Sequence, residues 1–436
     1  TIGSVTEKIM VYNRSKNAIN VSSIYLKQAE NSPFRLNVDG SVSTNNKFAN
    51  IEIGAHDSIF IFVEVTVNPQ NADLPVLIAD SLVFETGEKT QQVILEAYGQ
   101  DIEIFENKII FNDTILSAQR PYLIRGYLAV DEGKTLTIPA GCKFYFHNNA
   151  NLVVYGNLII NGTFENPVTM RGDRLDKIKY STSISYNFVA GQWDGVYLLG
   201  NKAHYNIKNL NINSGNVGIF FSNSDRTQIS SLEIENCRIH NFVYYGLVVQ
   251  NGNVTVKNTE ISNTGSYTVY LSGGRHIFLQ STIANFYDRS VSTATKTRDK
   301  SPAVIMQLLD KVAPMNVEFK NCIVAGTLEN EFSIADKFID KFNGSFSNSY
   351  IQRTKRFELP QFSEIRWSEK NDTLFTFPRH DYKKGRYFDF TPDSVSPARN
   401  IADYAVAEQF PLDLNGNPRL ADGQPDAGAY EWQPSK

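Results

Sequence analysis

Six segments of this chain share one register, and few folds can accommodate such a repeat. Aligned on a single polar residue, they read Ile207-Lys-Asn209-Leu-Asn-Ile212, Ile234-Glu-Asn236-Cys-Arg-Ile239, Val256-Lys-Asn258-Thr-Glu-Ile261, Phe278-Leu-Gln280-Ser-Thr-Ile283, Phe319-Lys-Asn321-Cys-Ile-Val324 and Phe346-Ser-Asn348-Ser-Tyr-Ile351. The aligned amides are 27, 22, 22, 41 and 27 residues apart. A period in the low twenties describes a coil of short strands that cannot bury its inner face alone and must stack on its neighbours. The segments are rich in Val, Ile, Thr, Phe and Asn and alternate with period two, without the i, i+3, i+4, i+7 stripe that a helical solenoid would need. The residues two before the amide and three after it therefore predict two continuous internal stacks. The amides predict a ladder at a bend, each side chain bonding its neighbours and turn backbone that would otherwise be buried unpaired.

The rest of the chain divides around residue 101. Residues 1–101 carry seven short alternating runs, at Lys8–Tyr12, Val21–Leu26, Phe34–Val38, Ile51–Ile53, Ser58–Val67, Val76–Phe84 and Gln91–Ala97, separated by Asn, Gly, Asp and Pro clusters. Such spacing predicts an antiparallel immunoglobulin-like β-sandwich, with the run from Ile59 to Val67 as a central strand. Residues 102–436 are expected to form a parallel β-helix with an irregular C-terminal cap, which makes the whole chain all-β. The 41-residue step contains the polar segment Ser292–Lys300, read as a loop thrown out from one coil, and a second insertion is expected over Arg171–Ala190.

A net charge of −4 gives no basic field for nucleic acid. Cys142, Cys237 and Cys322 match no metal spacing; Cys237 and Cys322 fall in one column three coils apart, roughly 14 Å at about 4.8 Å per coil, beyond disulfide reach. The six histidines, at 56, 147, 204, 240, 276 and 380, are scattered and read as structural or surface residues, and no cofactor or metal is expected. No apolar run is long enough to span a membrane. Attachment to one is expected only through a lipid anchor outside this chain, and an export signal is expected to be missing from the sequence.

Leu136-Thr-Ile-Pro-Ala-Gly141, Leu152-Val-Val-Tyr-Gly156, Gly162-Thr163, Gly191-Gln-Trp-Asp-Gly-Val196, the Asn-x-x-Ile coils, Asp413-Leu-Asn-Gly-Asn-Pro-Arg419 and Pro425-Asp-Ala-Gly-Ala-Tyr-Glu431 resemble the right-handed parallel β-helix proteins of the pectin-lyase-like superfamily, in particular exported surface proteins of Gram-negative bacteria. Phe34-Arg-Leu-Asn-Val38, Val65-Thr-Val-Asn-Pro69 and Ala97-Tyr-Gly-Gln-Asp101 resemble the immunoglobulin-like module of abnormal-spindle and hydin type. The resemblance implies export, as a secreted or lipid-anchored surface protein, and a carbohydrate-rich setting. It does not fix an activity, because the fold hosts lyases, hydrolases and adhesins alike.

The chemistry those enzymes need is not visible. The Asp-Asp, Gly-His-Gly and Arg-Ile-Lys of pectin hydrolases are absent, and Arg238-Ile-His240 lacks paired carboxylates. The outward columns, Lys208, Glu235, Lys257 and Asn211, Arg238, Glu260, alternate in sign and read as self-neutralising ladders rather than calcium clusters. Asp413-Leu-Asn-Gly-Asn417 has Pro418 where a calcium loop needs glycine, and reads as a turn sealing the last coil. No catalytic residue is therefore assigned. The candidate site is instead a column of Tyr245, Tyr267 and Arg289, flanked by Tyr244 and Asp288, which the repeat places six or more residues beyond successive amides. Tyrosine faces beside polar groups hold sugar rings, but the same column would serve as a structural ladder. The expected partner is a polysaccharide or cell-surface glycan, bound without catalysis; the alternative is a polysaccharide lyase or glycoside hydrolase acting on a uronate-containing glycan.

Overall fold

The computed structural model describes residues 6–67, 76–87, 89–175, 184–225, 229–288, 298–308, 314–335, 342–379, 381 and 387–434. The chain divides into two compact units, Thr1–Ile102 and Glu103–Lys436. Arg289, His380 and most of the loop expected at Ser292–Lys300 lie outside the described residues.

The first unit contains β1 (Glu7–Tyr12), β2 (Ile19–Leu26), β3 (Phe34–Val38), β4 (Ser41–Val42), β5 (Lys47–Ile53), β6 (Ser58–Val65), β7 (Val76–Thr86) and β8 (Lys89–Gly99). They form two antiparallel four-stranded sheets, β1-β6-β3-β4 and β5-β2-β7-β8, an immunoglobulin-like sandwich. Strict alternation decides which side of β6 faces inward: Ile59, Ile61 and Val63 are buried, while Phe60 and Phe62 are half-buried on the other side. With β1 on one side and β3 on the other, β6 is the inner strand its composition predicts. The eighth strand, β4, has only two residues, too few to show a pattern.

The second unit is a solenoid whose strands join one 26-stranded parallel sheet wrapped around a common core. Each coil presents three faces in chain order. In the central coils the first face is His204–Lys208, Ser231–Glu235, Asn253–Lys257 and Gly274–Leu279; the second is Leu210–Asn213, Arg238–Phe242, Glu260–Thr264 and Thr282–Asn285; the third is Gly195–Leu198, Val217–Ser222, Tyr245–Gln250 and Val269–Ser272. The register follows the repeat residue for residue. Ile207, Ile234, Val256, Phe278, Phe319 and Phe346 pair in sequence on the first face, and Ile212, Ile239, Ile261, Ile283, Val324 and Ile351 on the second. All twelve side chains are buried in one core.

The amides occupy the bend between the first two faces. Asn209, Asn236, Asn258, Gln280, Asn321 and Asn348 all take positive φ, between 44° and 57°. This left-handed conformation is one that Asn tolerates better than most residues. The backbone N–H groups of the first five donate to the next coil, as from Asn236 to Lys257 O at 3.1 Å and from Asn258 to Leu279 O at 3.1 Å. The neighbouring column of small residues forms a second ladder in which cysteine, threonine and serine are interchangeable. Cys237 N donates to Thr259 Oγ1 at 3.2 Å, Thr259 N to Ser281 Oγ at 3.3 Å and Cys322 N to Ser349 Oγ at 2.9 Å. Burial pushes the Cys237 and Cys322 thiols up to about 12, so they stay protonated and act as small ladder members.

The C-terminal segment does not seal the last coil. It runs along the bend and satisfies the amide side chains: Asn348 Nδ2 donates to Ile401 O at 3.3 Å, Asn321 Nδ2 to Asp403 O at 2.9 Å, and Asn258 Nδ2 to Leu412 O at 3.2 Å. Gln280 Nε2 donates to Asp426 O at 2.6 Å and to Gly428 O at 2.9 Å. Arg419, fully buried, donates to Asn258 Oδ1 at 2.8 Å and pairs with Glu431 at 3.3 Å. The Asp413 carboxylate is occupied by its own turn, accepting from Asn415 N, Asn417 N and Glu431 N. One outward column also departs from the charge-ladder expectation. Lys208 pairs with Glu235 across coils at 3.5 Å, but Arg238 donates to Leu414 O and Asn415 Oδ1, and Glu260 accepts from Tyr430.

Candidate functional site

The third face carries a row of half-buried rings, Tyr197, Phe220 and Tyr270. Its inward positions, Val196, Leu198, Ile219, Phe221, Leu247, Val249, Val269 and Leu271, are buried in the core. The outward column between them pairs Tyr197 with Phe220, Phe220 with Val248, Val248 with Tyr270 and Tyr270 with Ile305. A second column carries Ser222 and Gln250, both half-buried, and then Ser272, which is fully buried. Apolar and aromatic side chains thus form a stripe along the solenoid, with amides and hydroxyls beside it.

Tyr245 and Tyr267 stand at the corner where the chain enters this face. Their rings stack at 6.3 Å between centroids with planes 7° apart. Tyr244, 41% exposed, lies 6.3 Å from Tyr245, and Tyr270 meets Tyr267 edge-on at 6.0 Å. The corner is tight because Gly246 lies against the next coil: a Cβ there would sit 2.6 Å from Ile261 and 2.7 Å from Thr268 O. Burial, the neighbouring Tyr267 phenol and Asp299 raise the Tyr245 hydroxyl above its ordinary value, and burial beside Asp194 does the same for Tyr197. Both phenols remain neutral donors. Gln307 Nε2 donates to the Tyr270 hydroxyl at 2.5 Å.

Tyr244, Tyr245 and Tyr267 are therefore neighbours; Arg289 lies outside the described residues, and the third-face register does not bring Asp288 into their column. On the second face Ile261 pairs with Ile283, a step of 22 residues, whereas on the third face Val269 pairs with Val304, a step of 35. The inserted segment enters between those two faces, so extending the 22-residue step through it misplaces the third-face register. Asp288 is half-buried at the start of this segment. The segment's far end is pinned by Arg298, which is buried against Glu331 and also donates to Asn285 O and Ser301 O. The residues missed by sequence reasoning are Tyr197, Phe220 and Tyr270. Each directly follows an apolar inward residue, Val196, Ile219 and Val269, so alternation alone would have turned it outward. Trp193 is not part of this surface: it is fully buried, stacks on Phe146 at 4.2 Å and donates from Nε1 to Asn213 O at 2.8 Å.

Fold and face define a right-handed parallel β-helix that follows an immunoglobulin-like sandwich. The model of the right handed beta helix region matches residues 194–357. Among curated proteins the chain is similar to Protein bark beetle of Drosophila melanogaster, 29% identical over 123 residues, which covers 27% of this chain and 4% of that protein. No solved structure matches the chain.

Proposed function

We propose that this is an exported surface protein that binds a glycan along the third face of its β-helix, without catalysis. The observation that carries the reading is the parallel Tyr245–Tyr267 pair, continued by Tyr270, Phe220 and Tyr197 on a flat parallel sheet. A sugar chain lies on such a face with its C–H surfaces on the rings and its hydroxyls toward Gln250 and Gln307. Rings repeated on successive coils favour an extended polysaccharide. Attachment to a membrane, in this reading, is by a lipid anchor outside the sequence.

The test is binding of the full chain to a panel of neutral and uronate-containing polysaccharides, with reducing-end and unsaturated-product assays on the same mixtures. The expected result is binding that weakens at least about tenfold, roughly 1.4 kcal/mol, in Tyr267→Ala and Tyr270→Ala, with no product formed. Product formation would replace the binding reading with a lyase or hydrolase. Wild-type affinity in both variants would make the rings a structural ladder.

A further inference from the structure

A second site lies on another side of the coil, where the C-terminal segment bridges the second face without filling the space beneath it. The cleft has a volume of about 400 Å³, within the range of small-ligand sites. Arg238, His240, Asn241, Glu260, Ser262 and Asn263 form its floor, from two adjacent coils in register. Phe188, from the turn Tyr186–Phe188, and the stretch Tyr387–Phe390 form one wall, and Asn415 and Tyr430 complete it.

The wall is a stack of rings: Phe188 lies on Tyr387 at 3.7 Å with planes 10° apart, and His240 faces Phe188 at 6.4 Å. The floor is polar. Asn241 is wholly buried and donates to Phe188 O at 3.0 Å, which ties the floor to the wall. The charged members are already engaged. Glu260 accepts from Tyr430 and from Ser262 Oγ at 2.5 Å, and Arg238 donates to Leu414 O and Asn415 Oδ1. Burial and the adjacent Arg238 lower the His240 imidazole, outweighing Glu260 and a hydrogen bond with Asn241, so the ring is neutral and keeps one nitrogen for a ligand.

We infer that this cleft binds one neutral pyranose residue, its apolar face on the Phe188–Tyr387 wall and a hydroxyl on His240. An anionic sugar is disfavoured, because the guanidinium is already committed and the Glu260 and Asp389 carboxylates line the cleft. The inference uses no residue of the third face and stands or falls apart from the glycan reading there.

The test is NMR of the six histidine Cε1–H groups of the full chain, with the His240 signal assigned by its loss in His240→Gln. The probes are the methyl glycosides of glucose, galactose, mannose and N-acetylglucosamine at millimolar concentration. The expected result is a saturable shift of the His240 signal by at least one glycoside. It should weaken at least about tenfold in Tyr387→Ala and in Phe188→Leu, the latter keeping apolar bulk at the wall, and persist in Tyr267→Ala. No shift with any glycoside, a shift indifferent to both wall variants, or one lost in Tyr267→Ala would each overturn the proposal.

Discussion

The bend after the first face and the face after the second belong to the same coils and repeat with the same period, yet they end in opposite states. At the bend every aligned residue is an amide in left-handed backbone, and the chain's own C-terminal segment covers the row. On the third face the aligned residues are mostly aromatic or aliphatic, and several stay partly exposed. The difference teaches that in a solenoid burial cost, not period, decides which flank is closed. Backbone and amide groups at a bend must find partners, whereas a ring on a flat sheet can remain half in water.

The comparison breaks first if the covering segment is dispensable. Removing residues 400–436 strips hydrogen bonds from Asn258, Gln280, Asn321 and Asn348 and uncovers Ala284, Ile323, Ala325 and Tyr350, which Leu414, Ala427, Ala429 and Tyr430 cover. The loss should be at least about 5 kcal/mol, taking roughly 1 kcal/mol per bond plus the apolar area. Urea unfolding measures it, and an unchanged midpoint would mean that the bend needs no cover.

A single rung should behave as a smaller version. Asn258→Leu removes the donor to Asn236 Oδ1 and Leu412 O, takes one acceptor from buried Arg419, and places a branched side chain at φ 44°. We expect a loss of about 3–5 kcal/mol by the same unfolding measurement. A loss under about 1 kcal/mol would show that Arg419 finds another partner.

His276 sharpens the contrast inside the coil, since it stands in the internal stack between Val254 and Val317 and neither ring nitrogen has a hydrogen-bond partner. Burial lowers its imidazole from 6.5 to about 3. The unfolded ring therefore gains a proton through a window in which the folded ring does not, and stability must fall as pH drops from 6.5 toward 3. Between pH 6.5 and pH 5 the loss from this residue is about 2 kcal/mol. Unfolding midpoints across that window should flatten in His276→Leu by this amount, and identical slopes in the two proteins would refute it.

The smallest effect belongs to the open flank. Tyr267→Ala removes a half-exposed ring pair and should cost about 1 kcal/mol, while glycan binding falls by the larger factor expected above. A stability loss above about 3 kcal/mol would place Tyr267 with the core residues and remove the asymmetry between the flanks.

The sequence by itself determined the sandwich, the stacked coils, the two internal columns and the amide bend. Each of these is a local rule repeated: alternation sets the face, and the period brings like residues together. It also held Tyr197, Phe220 and Tyr270 in plain alternation, although only an alignment centred on the third face would have found them. Tertiary structure decided the rest. The step from 22 to 35 residues is set by where an inserted segment leaves the coil, so the column after Tyr267 could not be extended by counting. The docking of Arg419 on Asn258 and of Tyr430 on Glu260 joins residues more than 150 positions apart. No periodicity connects such partners; they meet because the coil leaves buried polar atoms along one flank and the C-terminal segment carries the groups that satisfy them.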